Sequence, residues 1–295
     1  MLPGLLGLAL LLVPNALALC SLKKDVVVAV YAEEGWGGAG TNSVAWTKAF
    51  FSWWSSPNPT LIVDFVTNAK DIANYYTDGC QLATGFPNLK LWVQPGGSAD
   101  NFSTSLGPGG RDNLLDFAAS ANGHYMGTCA GMYFAAGTYW WFDSFYPEAW
   151  MPHWFPTLEG PLYPIAVYPD FAPVALSDGR TVLYWGGPVL GYNHTTASVP
   201  NGAIVLANYN SPKVAPLGAA YTYAGAHIKA LLNSAHPEAV AGSGIACQPP
   251  LPPGCITQEQ QLQNWQWLAQ QINALLGERW IVPSSLGIGS PSSLL

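Results

Sequence analysis

The sequence predicts an α/β protein whose sheet is mostly parallel and carries helices on both faces. Three observations lead there. Short apolar, β-branched runs alternate with helical stretches through the first half of the chain. A Gly127-Thr128-Cys129-Ala130-Gly131 turn joins one such strand to a helix start, and a His236-Pro237-Glu238 segment closes another strand much later in the chain. Strand–helix alternation favours parallel pairing, because parallel neighbours need a crossover between them.

In chain order, residues 25–32 (DVVVAVYA) read as a first buried strand. The glycine-rich loop 33–40 follows; it does not fit the dinucleotide fingerprint, so no cofactor is expected. Residues 42–54 predict a crossover helix capped by Thr41 or Asn42. A strand at 61–66, a helix at 68–76 and a strand at 89–93 come next, the last ending in Gln94-Pro95-Gly96-Gly97. A helix at 111–121 leads into the strand before Cys129. Beyond it, strands are expected at 162–167, 181–185, 203–207 and 228–232. Residues 258–276 then place Leu262, Trp265, Leu268, Ile272 and Leu275 on one helical face. Ligands gather beyond the C-terminal strand ends of such sheets, where both Gly97 and Cys129 fall.

The chemistry sits at those ends. A cysteine at the apex of a strand–turn–helix is the thiol counterpart of the nucleophile elbow. Gly127 and Gly131 let strand and helix pass closely, and a helix starting at the sulfur favours thiolate. A nucleophilic cysteine needs a base, and the base needs a group to orient it. His236 supplies the first and Glu238 the second. The backbone N–H groups of Ala130 and Gly97 are the expected oxyanion donors.

Composition sets bounds. The chain has 295 residues, of which 49% are hydrophobic and only 9% charged, with a net charge of −7. A single large domain over residues 19–282 is expected, with 283–295 as a flexible tail. The acidic balance argues against nucleic-acid binding. The apolar run 2–13 followed by Ala16-Leu17-Ala18 reads as a signal peptide over 1–18, too short to span a membrane. A secreted protein with no membrane association after processing follows. Five cysteines fit two disulfides and one free thiol. Cys247 and Cys255 bracket a proline-rich loop and form the expected pair; Cys20 and Cys80 then pair by elimination, among three possible connectivities. Asn101 and Asn193 head glycosylation sequons. His124, His153, His194 and His227 lack ligand spacing, so no metal is expected. Glu159 reads as a solvent-facing loop carboxylate, and the 13 tryptophans as packing residues.

Several segments also carry a resemblance. VVVAVYAEEGWG, LWVQPGGSAD, GHYMGTCAGMYFAAG, WFPTLEGPLYP, LSDGRTVLYWGGPVL, IVLANY and HIKALLNSAHPE run in the same order as motifs of the class I glutamine-amidotransferase-like superfamily. Within it, the chain resembles the N-terminal domain of eukaryotic biotin-protein ligases and its stand-alone relatives. The resemblance implies a flavodoxin-like three-layer αβα sandwich and a Cys129–His236–Glu238 triad. No biotin-ligase catalytic domain and no synthetase domain accompany it, so biotinylation and biosynthetic amidotransfer do not carry over. The expectation is a secreted cysteine hydrolase of an amide, ester or γ-glutamyl-type carbonyl. Its alternative is an inactive binding domain with an aromatic-lined cleft. The substrate and the oligomeric state are not legible.

Overall fold

The structure, a computed structural model, describes residues 25–69, 87–142, 144–147, 150–160, 172–190, 199–210, 218–225, 228–243 and 255–287. In order, its elements are β1 (Val28–Tyr31), α1 (Thr41–Ser55), β2 (Val63–Val66), β3 (Leu91–Gln94), α2 (Ala99–Ala119), β4 (His124–Thr128) and α3 (Ala130–Ala136). There follow β5 (Thr138–Trp141), β6 (Ser144–Pro147), β7 (Leu158–Gly160), β8 (Ala172–Ala175), β9 (Thr181–Tyr184) and β10 (Val189–Leu190). The chain closes with β11 (Ala203–Asn208), β12 (Gly218–Ala224), β13 (Lys229–Asn233) and α4 (Gln258–Leu276).

Seven strands form the central sheet in the order β11-β12-β13-β4-β3-β1-β2. The five from β13 to β2 pair in parallel, and β12 and β11 extend the edge in antiparallel fashion. Burial on both faces explains why β1 and β3 read as unbroken apolar runs rather than as alternating patterns. The period of two still sorts their side chains. Ala29, Tyr31, Trp92 and Tyr125 join α2 and α3 in one core. Val28, Val30, Leu91, Val93 and Met126 join Phe50, Trp54, Trp265 and Leu268 from α1 and α4 in the other. This is the mixed three-layer architecture that the sequence predicts.

Helix boundaries follow local chemistry. Thr257 and Gln260 form a reciprocal capping box at α4 (Gln260 N to Thr257 Oγ1 3.1 Å, Thr257 N to Gln260 Oε1 3.0 Å). α2 starts at Ala99, well before the expected 111, because Ser98 caps a first arm ahead of a kink at Gly107-Pro108. Asn101 is half-buried in that arm beside buried Ser103, unlike the exposed loop a glycosylation acceptor ordinarily occupies. Strands β5, β6, β7, β8, β10 and β12 are additional to the predicted set. They build a four-stranded sheet, β10-β7-β5-β6, a β8–β9 hairpin and part of the central edge. Glu159 corrects an expectation: it is a buried residue of β7, not a solvent-facing loop carboxylate.

After α4 the chain lies against α1. Trp53 and Trp54 donate to the carbonyls of Ser285 (2.8 Å) and Ile281 (3.2 Å), and Asn58 bonds both backbone groups of Ile281. Residues 288–295, the helix expected at 68–76 beyond Ala69, the strand at 162–167, the leader, Cys20, Cys80, Cys247 and Asn193 lie outside the described residues. Cys255 is buried. Among the described residues no helix is long and apolar enough to cross a membrane.

Trp265 is 1% exposed and packs edge-on to Phe50 at 6.0 Å. Trp265→Ala is expected to lower unfolding stability by about 3–5 kcal/mol, read as a shifted urea midpoint.

Candidate active site

Parallel pairing of β4 with β13 sets Thr128 opposite Asn233, and Cys129 N continues the ladder by donating to Asn233 O at 2.8 Å. The chain then turns at Cys129, where φ is 52° and ψ −109°, a region that non-glycine residues rarely occupy. The close approach this requires explains the elbow glycines. A Cβ on Gly131 would lie 2.1 Å from Gln94 O, and one on Gly127 would lie 2.6 Å from Gly131 O.

Three residues past β13, His236 N donates to Leu183 O (2.8 Å), which holds the His-Pro-Glu segment against β9. His236 and Glu238 are each 1% exposed, and His236 Nδ1 lies 2.8 Å from Glu238 Oε1. Trp46 packs edge-on against the imidazole at 5.5 Å. The ring flanks Cys129: a Cβ on Gly96 would fall 2.5 Å from His236 Cε1 and 3.4 Å from Cys129 Cβ. Cys129 is a free thiol whose Sγ–H donates to Trp185 O at 3.3 Å. His236 Nε2 therefore has no partner in strict hydrogen-bond geometry among the described residues. The sulfur is nonetheless near enough to act on the ring's charge. Burial pulls the His236 pKa down, but the Glu238 carboxylate and the neighbouring Cys129 outweigh it and push the pKa up to about 10.

Both expected oxyanion donors border the same space. Ala130 N is the first amide of α3 and lies outside the helix's internal ladder. Gly97 pairs with Ala39 in an antiparallel bridge whose bonds run from Gly40 N to Gly96 O (2.9 Å) and Ser98 N to Gly38 O (2.8 Å). The amide of a residue at such a position points away from its partner strand. A Cβ on Gly97 would sit 1.9 Å from Gly38 O, so the turn tolerates only glycine. Gly97, Ala130, Cys129 and His236 line one cavity of about 320 Å³. Cys129, His236, Gly97 and Ala130 thus border a single cleft, with Glu238 buried behind the imidazole.

One residue there has no sequence signature. Ser43, buried in the first turn of α1, donates to Glu238 Oε1 (3.1 Å) and accepts from Gly96 N (2.9 Å). It connects the carboxylate that orients the imidazole to the Gly96-Gly97 turn. Its only sequence cue is its place just after the loop of the first strand. Tyr133, Tyr139, Trp141, Tyr146 and Trp185 give the cleft an aromatic wall, which tryptophan content alone does not locate. Among the described residues no group of three or more histidine, cysteine, aspartate or glutamate side chains has the spacing to hold a metal ion.

With this geometry in view, the likeness to solved structures is informative. The chain superposes on a crystal structure of a glutamine amidotransferase with a TM-score of 0.51 at 17% identity, covering 85% of this chain and 99% of that one. The fold is that of a class I glutamine amidotransferase. Lower similarity extends to proteins described as ThuA-like. One is from Bacteroides uniformis (TM-score 0.42, 9% identity, 72% of this chain and 82% of that one). Another is from Parabacteroides merdae (0.44, 13%, 88% and 94%). No family model and no curated protein matches the sequence.

Two measurements probe the array. Ser43→Ala removes one bond to Glu238 and strands the Gly96 amide. It is expected to cost about 1–3 kcal/mol in urea unfolding and to slow alkylation of Cys129 several-fold. The raised His236 pKa also makes folding pH-dependent. Its contribution is complete below the unfolded value of 6.5 and is lost as pH rises toward about 10. The stability difference between wild type and His236→Gln is therefore expected to shrink steadily over that window.

Proposed function

We propose that the chain is an exported cysteine hydrolase that cleaves an amide, ester or γ-glutamyl-type carbonyl through Cys129, His236 and Glu238. One observation carries the reading: a free thiol on a strained elbow shares its cleft with a buried imidazole whose far nitrogen lies 2.8 Å from a buried carboxylate. Nothing in packing alone asks for an ionisable pair at this depth, since burying charge is costly. The finer kinship, to the N-terminal domain of biotin-protein ligases, rests on the Gly160-Pro161-Leu162-Tyr163 and Trp185-Gly186-Gly187 segments, whereas Cys-Ala-Gly and His-Pro-Glu are shared across the superfamily.

In this mechanism His236 Nε2 takes the proton of the Cys129 thiol, and the Glu238 carboxylate favours the imidazolium that forms. The sulfur attacks as thiolate, forming a C–S bond while the carbonyl π electrons move to oxygen. Gly97 N–H and Ala130 N–H stabilise that oxyanion, each worth roughly 3–4 kcal/mol. Collapse expels the amine or alcohol, which takes its proton from His236 Nε2. The neutral imidazole then draws a proton from water as the water attacks the thioester, and the acid leaves as the imidazolium returns that proton to the sulfur. Glu238 keeps the ring oriented throughout, and Ser43 keeps Glu238 in place.

Export rests on the apolar run 2–13 with Ala16-Leu17-Ala18. In that setting Cys247–Cys255 and Cys20–Cys80 form the disulfides, Cys129 stays free, and Asn193 is the glycosylation acceptor. A second reading, a binding domain without turnover, draws on the aromatic wall of the cleft.

Alkylation separates the two. Iodoacetamide is expected to label Cys129 far faster than it labels a free cysteine, with His236→Ala slowing the reaction by about 10²-fold. Hydrolysis of glutamine or of an activated ester is expected to vanish in Cys129→Ala. Equal labelling rates in wild type and His236→Ala, with no turnover, would leave the binding domain.

A further inference from the structure

The cleft is chemically lopsided. Backbone and small residues line it together with five aromatic residues, Tyr133, Tyr139, Trp141, Tyr146 and Trp185. Tyr139 and Tyr146 face each other across the β5–β6 hairpin and stack at 5.3 Å with their planes 10° apart. Tyr133 packs between Tyr139 (4.7 Å) and Trp141 (5.7 Å) and donates to Gly186 O. Among the described residues that line it there is one carboxylate, Asp100, and no lysine or arginine.

Asp100 lies in the first turn of α2, half-buried, and accepts a hydrogen bond from Tyr139 Oη. That bond ties the carboxylate to the aromatic wall and still leaves it acceptor capacity, since two carboxylate oxygens offer about four acceptor sites. The positive end of α2 is already answered by Asp100 itself and by the Ser98 cap. The other lining charge, on His236, is matched by Glu238. An incoming anion would meet Asp100 and polarisable aromatic side chains. An incoming cation would meet complementary charge from both, within a protein whose net charge is −7.

We infer that this cleft takes an acyl substrate carrying a compact cationic group, seated against Tyr139, Tyr146 and Trp141 and paired with Asp100. The inference deepens the hydrolase reading and rests on it for the scissile carbonyl, whereas cation binding is measurable by itself. The cavity of about 320 Å³ suits a small molecule of this kind.

The test compares nitrophenyl esters whose acyl chains end in trimethylammonium or in its neutral isostere, tert-butyl. Wild type is expected to favour the cationic ester by about tenfold in kcat/KM. Asp100→Asn and Trp141→Leu should each erase most of that preference, read as the ratio of kcat/KM for the cationic ester over the neutral one within each variant. Equal or reversed preference in wild type overturns the inference and leaves the hydrolase standing. Titration of Cys129→Ala with tetramethylammonium, read by tryptophan fluorescence, covers the case of no turnover. Saturable binding that neopentyl alcohol does not reproduce, and that Asp100→Asn weakens, supports the cation site even if hydrolysis is absent. No saturable binding, or equal binding of the neutral alcohol, overturns it.

Discussion

Parallel pairing between β4 and β13 is the constraint on which the site depends. Five residues of each strand are in register, from His124 opposite Lys229 to Thr128 opposite Asn233. The two chemical motifs leave these strands at the same end, one at once as Cys129 and the other three residues later as His236. A slip of one residue would turn every β13 side chain to the opposite face. Leu231 would then leave the layer it shares with Trp265. Core packing and site assembly therefore enforce the same register.

The second constraint is electrostatic. Glu238 and His236 are almost wholly withdrawn from water, which costs several kcal/mol per ion unless partners replace the lost solvation. Those partners are each other, Ser43 and the nearby sulfur, while the edge of Trp46 closes one side of the ring. The Trp265 indole bonds the Glu238 carbonyl at 3.0 Å, so the large apolar core of α4 also fixes the backbone of the carboxylate. The charged array is thus braced by the core rather than set into it.

Much of this was legible in the sequence because its signals are local. β1, β3 and β4 announce themselves as apolar runs ended by glycine. α4 has a clear capping box and periodic face, and its bounds are those expected. Cysteine at an elbow and the His-Pro-Glu triplet each name their own chemistry. What escaped depends on tertiary context. β12 reads Gly-Ala-Ala-Tyr-Thr-Tyr-Ala, too rich in small residues to signal a strand by itself; it is one because β11 and β13 flank it. Glu159 looks like a loop residue until β5 and β10 close around β7. Ser43 is an ordinary helix-entry serine whose importance comes from a partner 195 positions away.

The β5–β6 hairpin has a broader consequence. It follows α3 directly and supplies three of the five aromatic residues lining the cleft from one contiguous stretch, while the reacting groups come from strands in the central sheet. Recognition and reactivity are thereby modular. Grafting a different ribbon at positions 138–147 would change the cleft's preferences while leaving the nucleophile and its acid–base partner undisturbed, a separation that lets one scaffold diversify its diet without reinventing its teeth.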